Sequence, residues 1–330
     1  MLLLNNFRKI NPLQGPSPKG GGFCFKRITF AQIIFMLKIN PKEIKTSQLH
    51  AYMLACIAPR PIAFASTMDK DGIPNLAPFS FFNAFGSNPP TVIFSPARRV
   101  RDNTTKHTLE NVFETKEVVI NTVSYEMVHQ VSLASSEYPR GTNEFEKAGF
   151  TALPSELVKP FRVKESPVQM ECKVVDIIET GTEGGAANLI ICEILLLHIN
   201  ENILNAEKKI DPDKIDLVAR MGGDLYCRAS GNALFEVTKP NTQLGIGVDH
   251  IPEQIRMSTI LTGNNLGQLG NASSFPTAEE IAAMKNSEVI LGILNSSKTS
   301  SEKEVLVHMH AKKLLDGGNV HDAWKTLLSI

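Results

Sequence analysis

From Met36 onward the hydrophobic and polar positions read as strands with helices between them. Pro59-Arg60-Pro61 forces an extended path into a strand over Ile62 to Met68. Asp69-Lys70-Asp71-Gly72 supplies the turn chemistry of a hairpin, which returns along Asn75 to Phe85. On that return Phe79, Phe81 and Phe85 stand against Pro78, Ser80 and Ala84, the period of two of a half-buried strand. A Pro89-Pro90 corner leads into a strand over Thr91 to Phe94. Further strands are predicted over Val118 to Val123, Val168 to Ile178, Asn188 to Ile199, Leu217 to Met221 and Leu225 to Val237. Helical spacing appears over Ser47 to Leu54 and Tyr125 to Leu133. It also appears over Thr105 to Glu114, where Leu109, Val112 and Phe113 fall at i, i+3 and i+4.

Three segments fall outside this rhythm. Ser135 to Pro160 is a long polar excursion, a candidate lid or partner contact. Thr180 to Gly185 is glycine-containing, but a strand follows it and not the helix a phosphate-cradling loop needs, so it is expected to be a hairpin loop. Residues 241–330 form a helical appendage. Thr277 caps a helix over Ala278 to Lys285, a serine-rich linker lies near Ser296 to Ser301, and a helical stretch closes the chain.

Composition narrows the class. With 42% hydrophobic residues, 330 residues can bury a sizeable core in one large domain or two ordinary ones. The 34 basic and 34 acidic residues cancel, so no global field draws the chain to nucleic acid or to an anionic membrane, and any anion site must be local. Five cysteines without a C-x-x-C pair point to a reducing compartment, expected to be the cytoplasm, with the thiols as small core hydrophobes. Residues 1–35 hold no acidic residue, and their apolar run from Phe30 to Leu37 is too short to span a bilayer. They are read as upstream sequence or a disordered extension before a start at Met36. This leaves 36–240 as the main domain and 241–330 as the appendage.

The chain holds no G-x-G-x-x-G opening a helix after a strand, no Walker-type loop and no G-x-S-x-G. The His308 and His310 pair lacks further ligands nearby in sequence, and no metal site is expected. What remains is the run from Ser95 to Asn111. Arg98, Arg99 and Arg101 are either a solvated basic turn or one side of an anion site. A helix start at Asp102 to Thr105 favours the second reading, because the amides at Thr104 to Lys106, the Lys106 ammonium and the Thr108 hydroxyl would then face the guanidinium groups. A contact to nucleic acid or protein is the reading without a cofactor, and the neutral overall charge argues against it.

The segments PRPIAFASTMDKDGIPNLAPFSFFN and NPPTVIFSPARRVRDNTTKHTLENV, with SSEYPRGTNEFEKAGF and VARMGGDLYCRAS further on, resemble the flavin reductase-like, FMN-binding split-barrel family, including its flavoredoxin-type members. The resemblance spans roughly Ile44 to Pro240. It implies a mainly β fold with short helices, a Greek-key split β-barrel, assembled as a homodimer with FMN near the subunit interface. Carried onto this sequence, it implies that Ser66 and Thr67 are hydroxyls near the flavin. It makes Asn75 and Pro78-Phe79-Ser80-Phe81 the strand beside the isoalloxazine, and Ser95, Arg98, Arg99, Lys106 and Thr108 the phosphate region. Lys106-His107-Thr108 departs from the many relatives with an acidic middle residue, and Arg60 is a weaker candidate. The implied activity is NAD(P)H:flavin reduction, with NADPH or NADH passing a hydride to flavin N5 and no side chain needed as acid or base. The alternative is an FMN carrier that moves electrons between protein partners.

Overall fold

The computed structural model describes residues 36–240, 243–297 and 299–330. The expectations for residues 1–35 lie outside them. Contacts divide the chain into a first unit ending at Ala233 and a second running from Leu234 to Ile330. That division falls ahead of the expected boundary between residues 240 and 241.

The first unit opens with helix α1 (Thr46–Cys56), followed by strands β1 (Ala63–Met68), β2 (Pro74–Phe79), β3 (Phe82–Ser87) and β4 (Pro90–Phe94). Helix α2 (His107–Thr115), strand β5 (Glu117–Asn121) and helices α3 (Val128–Ala134) and α4 (Glu144–Ala148) come next. Two short pairs, β6 (Ala152–Leu153) with β7 (Arg162–Val163) and β10 (Val218–Arg220) with β11 (Tyr226–Arg228), flank the long hairpin of β8 (Val168–Glu179) and β9 (Asn188–Ile199). Helix α5 (Pro212–Ile215) precedes β10.

Seven strands form one antiparallel sheet in the order β2-β1-β5-β8-β9-β4-β3. Its two edge strands, β2 and β3, are consecutive in the chain and separated only by Ser80 and Phe81. Laid flat, seven strands would hold those edges roughly 29 Å apart at about 4.8 Å per neighbour. Three Cα steps from Phe79 to Phe82 reach only about 11 Å. The sheet must therefore curl until its edges meet, which is the split β-barrel with short helices expected from the sequence. β1 shows why Ile62 to Ala65 are all apolar: Ala63 and Ala65 face the barrel core with Phe94, Ile120 and Cys172, while Ile62 and Phe64 face a second core with Phe145, Phe150 and Val131 of the helical layer.

The structure corrects five expectations. The return strand is broken at Ser80-Phe81 where it crosses between sheet edges. Beyond the break the register slips between Ala84 and Gly86, so Phe85 is the extra residue of a β-bulge and stands 65% exposed. α2 begins at His107 and not near Thr105, because the Asp102 carboxylate accepts the Thr104 N–H (3.1 Å) and hydroxyl (2.7 Å) and closes a turn before the helix. Ser135 to Pro160 is not a free excursion: α4 lies within it, and Phe145 and Phe150 are buried in the second core. Of Leu225 to Val237 only Tyr226–Arg228 pairs as a strand. The thiols divide as well, Cys172 and Cys192 lying in the barrel core while Cys56 is exposed.

The second unit consists of α6 (Glu253–Arg256), α7 (Gly263–Gly270), α8 (Ala278–Lys285), α9 (Glu288–Ser296), α10 (Ser300–Asp316) and α11 (Val320–Leu327). It has its own core around Trp324, whose indole N–H donates to the Leu269 carbonyl at 3.1 Å. Thr277 caps α8 through a capping box with Glu280, as the Thr277-to-Glu280 spacing predicts. No helix among the described residues is long and apolar enough to cross a membrane.

Candidate functional site

Where β2 breaks into β3, the first unit opens a cleft of about 270 Å³. Pro78, Phe79, Ser80 and Phe81 form one wall, and Ser95, Arg98, Arg99 and Lys106 line it from the loop between β4 and α2. Eight of the twelve residues expected to hold a cofactor therefore share one cavity. The other four do not line it. Thr67 and Thr108 are buried in a network in which the Asn75 amide donates to Thr67 Oγ1 (3.3 Å) and Thr108 Oγ1 (2.9 Å), and Asn111 also donates to Thr67 Oγ1 (3.1 Å). These bonds tie the first turn of α2 to the β1–β2 hairpin and so fix where Lys106, its N-cap residue, stands. Ser66 is fully buried on the opposite face of β1, its hydroxyl without a hydrogen-bond partner among the described residues.

The arginine loop is internally braced. Arg98 donates through Nε to Asn103 Oδ1 (2.7 Å) and through Nη2 to the Asn103 carbonyl (2.8 Å). Arg99 donates through Nη1 to Thr104 Oγ1 (2.7 Å) and the Thr105 carbonyl (2.6 Å), and through Nε to Glu137 (3.1 Å). Arg101 pairs with Asp102 and Glu137 outside the cleft. The Thr104 hydroxyl and amide hold the Asp102 carboxyl down to about 2. The amides of Thr104 to Lys106 do not form the expected helix N-terminus. The Thr104 N–H is taken by Asp102, and the first turn of α2 follows Lys106.

Lys106 differs from these arginines. It is half-buried, and no hydrogen-bond or ion-pair partner reaches its ammonium among the described residues. Burial, and then the Arg99 guanidinium, push its pKa below the ordinary 10.5, while Glu137 opposes them. Arg60 is 4% exposed, and all of its bonds go to uncharged acceptors: the Leu54 carbonyl, the Ile57 carbonyl (2.7 Å), the Met221 carbonyl (2.8 Å) and Ser80 Oγ (3.3 Å). Burial and the neighbouring Arg220 lower its pKa too. Arg60 thus clamps the end of α1 against the β10 region and adds a positive charge with no carboxylate partner.

A cleft in a chain of zero net charge therefore collects Arg60, Arg98, Arg99, Lys106 and Arg220, while the carboxylates that act on Lys106, Glu137 and Asp102, stand outside its lining. Beside these charges lie the apolar surfaces of Leu54, Pro78, Phe79, Phe81 and Val100. Such a donor set suits a phosphate monoester joined to a flat apolar ring, and FMN fits it.

Several lining residues carry no mark in the sequence. His50 and Leu54 come from α1, with the His50 ring edge-on to Phe81 at 6.2 Å between centroids. Arg220 arrives from β10 through reciprocal 2.9 Å backbone bonds with Arg60. The β8–β9 turn is a hairpin loop, as its following strand predicts, yet it also builds the site. The Gly185 N–H donates to the Arg98 carbonyl (3.0 Å), and the Arg98 N–H donates to Ala186 (2.9 Å). A Cβ at Gly184 would sit 3.0 Å from the Arg99 carbonyl oxygen, so any side chain there would press the two loops apart. Asn188 locks the same junction, its N–H on Ser95 Oγ (3.1 Å) and its amide on the Pro96 carbonyl (2.9 Å).

Comparison with known proteins places the family likeness within the first unit. Residues 55–212 match the model of the flavin reductase like domain. An uncharacterized protein of Aquifex aeolicus (strain VF5) is 38% identical over 196 residues, covering 59% of this chain and 97% of the relative. Among solved structures, nitrilotriacetate monooxygenase component B from Bacillus cereus superposes with a TM-score of 0.57 at 28% identity, over 62% of this chain and all but 1% of that one (99% covered). A flavin reductase-class protein with a split barrel domain from Shewanella frigidimarina NCIMB 400 superposes with a TM-score of 0.51 at 25% identity, over 60% of this chain and 96% of its own.

Proposed function

The chain belongs to the flavin reductase-like family, and from that premise we propose that it is an FMN-dependent oxidoreductase of the NAD(P)H:flavin reductase type. The observation that carries the proposal is Lys106, a half-buried ammonium with no partner among the described residues, standing beside Arg99 in the cleft. An unpaired buried charge is costly, and an incoming phosphate would relieve that cost with charge-assisted hydrogen bonds. FMN, when bound, supplies the redox chemistry at N5 of its ring. The chain's own residues bind and orient. Lys106 and Arg99 hold the phosphate, the braced Arg98–Asn103 turn keeps the loop in place, and Pro78 to Phe81 with Leu54 and Val100 shelter the ring from water. The reaction asks no side chain to act as acid or base.

The proposal extends to a homodimer in the cytoplasm. The cleft of one chain is smaller than the roughly 300–1,000 Å³ of ordinary ligand sites. Tyr52, Met53 and Ile57 of the α1 region and Val175, Leu195 and Leu197 of the β8–β9 hairpin also stand exposed, which supports completion of the site by a second copy. Steady-state oxidation of NADPH and NADH by the full-length protein, with and without added free FMN, tests the activity. Turnover with at least one nucleotide, increasing with free FMN, is expected. Bound flavin with no oxidation of either nucleotide would replace the reductase by an electron carrier between proteins.

A further inference from the structure

FMN carries one phosphate monoester, and the barrel cleft holds more cations than that group can use. Beyond burial, the charges that act on Lys106 are Arg99, Glu137, Arg101 and Asp102, whereas the one that acts on Arg60 is Arg220. The cations of the cleft thus fall into two groups. The first stands at the start of α2 and is the one given above to the FMN phosphate. The second joins Arg60, just ahead of β1, to Arg220 of β10, and neither makes an ion pair among the described residues. These two arginines differ in what they have left to give. A guanidinium has five N–H donors. Arg60 spends four of them, on the Leu54, Ile57 and Met221 carbonyls and on Ser80 Oγ. Arg220 spends one, from Nη2 to the Gly223 carbonyl at 2.7 Å.

Arg220 is nevertheless held in place. Tyr226 is its register partner across the β10–β11 pair, and the guanidinium carbon lies 4.5 Å from the centre of the Tyr226 ring. The hairpin itself is seated against α1 and Arg60. Arg60 Nη2 donates to the Met221 carbonyl (2.8 Å), and a Cβ at Gly222 would lie 3.1 Å from Ala55 Cβ. A half-buried guanidinium, fixed by neutral groups with most of its donors unspent, is suited to gripping phosphate oxygens in pairs. We propose that Arg220 is a second phosphate-binding residue of this cleft and takes a phosphate of the nicotinamide dinucleotide, an assignment that rests on the reductase reading for the identity of that substrate. Arg220 supplies the paired hydrogen bonds, Arg60 adds fixed charge, and the Tyr226 ring keeps the guanidinium plane in position. Arg60 Nε donates to Ser80 Oγ (3.3 Å), so a phosphate held here stands near the wall given to the flavin ring.

The full-length, FMN-loaded protein should be titrated calorimetrically with NADP+ and NAD+, which carry no hydride to transfer. In Arg220→Gln at least one dinucleotide is expected to bind about tenfold weaker or more, with Arg220→Lys between that variant and wild type, and with FMN affinity held within about twofold. A loss confined to NADP+ assigns the 2′-phosphate to Arg220, and an equal loss assigns the diphosphate that both dinucleotides carry. If Arg220→Gln does not fold, Arg220→Lys decides by the same comparison. Wild-type nucleotide affinity in the variants, no nucleotide binding by wild type, or an FMN affinity that falls as far as the nucleotide's would overturn the assignment. Dinucleotide binding that depends on Arg220, without oxidation of NADPH or NADH, would support it and overturn the reductase reading instead.

Discussion

Lys106 and Glu171 are both withdrawn from water in the barrel unit, and their surroundings treat them in opposite ways. Glu171 on β8 is fully buried with its acceptor sites filled: by the backbone N–H of Glu156 (2.9 and 3.1 Å), the backbone N–H of Leu157 (2.6 Å) and the His198 ring (2.7 Å), with Arg162 at 3.9 Å. Burial alone would raise its pKa, but those partners outweigh it and the net shift is downward, toward the charged form. Lys106 has burial and a like charge without a partner, and its shift is also downward, which for an amine is toward the neutral form. A buried charge that is fully bonded holds a fold together, here fastening the 154–160 segment to the sheet. A buried charge left unbonded on a cleft wall marks a place for a ligand.

The difference can be broken from either side. The largest effect is expected from Lys106→Met. Hydrogen bonds to charged groups contribute about 1.5–3 kcal/mol, so FMN binding should weaken roughly ten- to a hundred-fold while the unfolding midpoint of the barrel stays near wild type. Fluorescence titration and urea unfolding check the two halves. Glu171→Gln should do the reverse, destabilising the barrel by about 1–3 kcal/mol because the new amide hydrogens face backbone donors, with little change in FMN affinity. Its pH signature follows from the sign of the shift. A depressed carboxylate contributes stability that is fully present above the ordinary value of 4.5 and is lost as pH falls through the depressed value. Stability of wild type should therefore fall more steeply below pH 4.5 than that of Glu171→Gln, and equal slopes would remove Glu171 from the account. Gly184→Ala should act least, costing about 1 kcal/mol or somewhat more as its Cβ presses on the Arg99 and Val100 carbonyls, and weakening FMN binding a few-fold by moving the loop.

The stretch from Pro78 to Lys106 was legible because one contiguous segment supplies both an apolar wall and a cationic loop, and residue type alone reveals such a segment. Its internal bonding was not. In the sequence Arg98 and Arg99 are either a solvated basic turn or one side of an anion site, and neither reading shows what a double replacement would disturb. Their bonds to Asn103, Thr104, Thr105 and Glu137 make that double replacement a structural change as well as a binding one. Asn75, Thr67 and Thr108 carry polar side chains that the sequence alone assigns as readily to a ligand as to one another, and they bond to one another. His50, Gly185 and Arg220 reach the cleft only through the closure of the barrel, which no local pattern encodes. Phe85 kept the period of its strand in sequence and lost it to a bulge.

The central claim is that Lys106 waits for a phosphate, and the titration of its own side chain tests that claim most directly. Lysine 13C labelling of the full-length protein, with the Lys106 signal assigned by its loss in Lys106→Met, follows the ammonium alone, with riboflavin, and with FMN. Below the ordinary 10.5 without ligand, the Lys106 pKa should rise with FMN and stay low with riboflavin, which has the ring but no phosphate. A Lys106 pKa that FMN moves no further than riboflavin does would place the phosphate elsewhere.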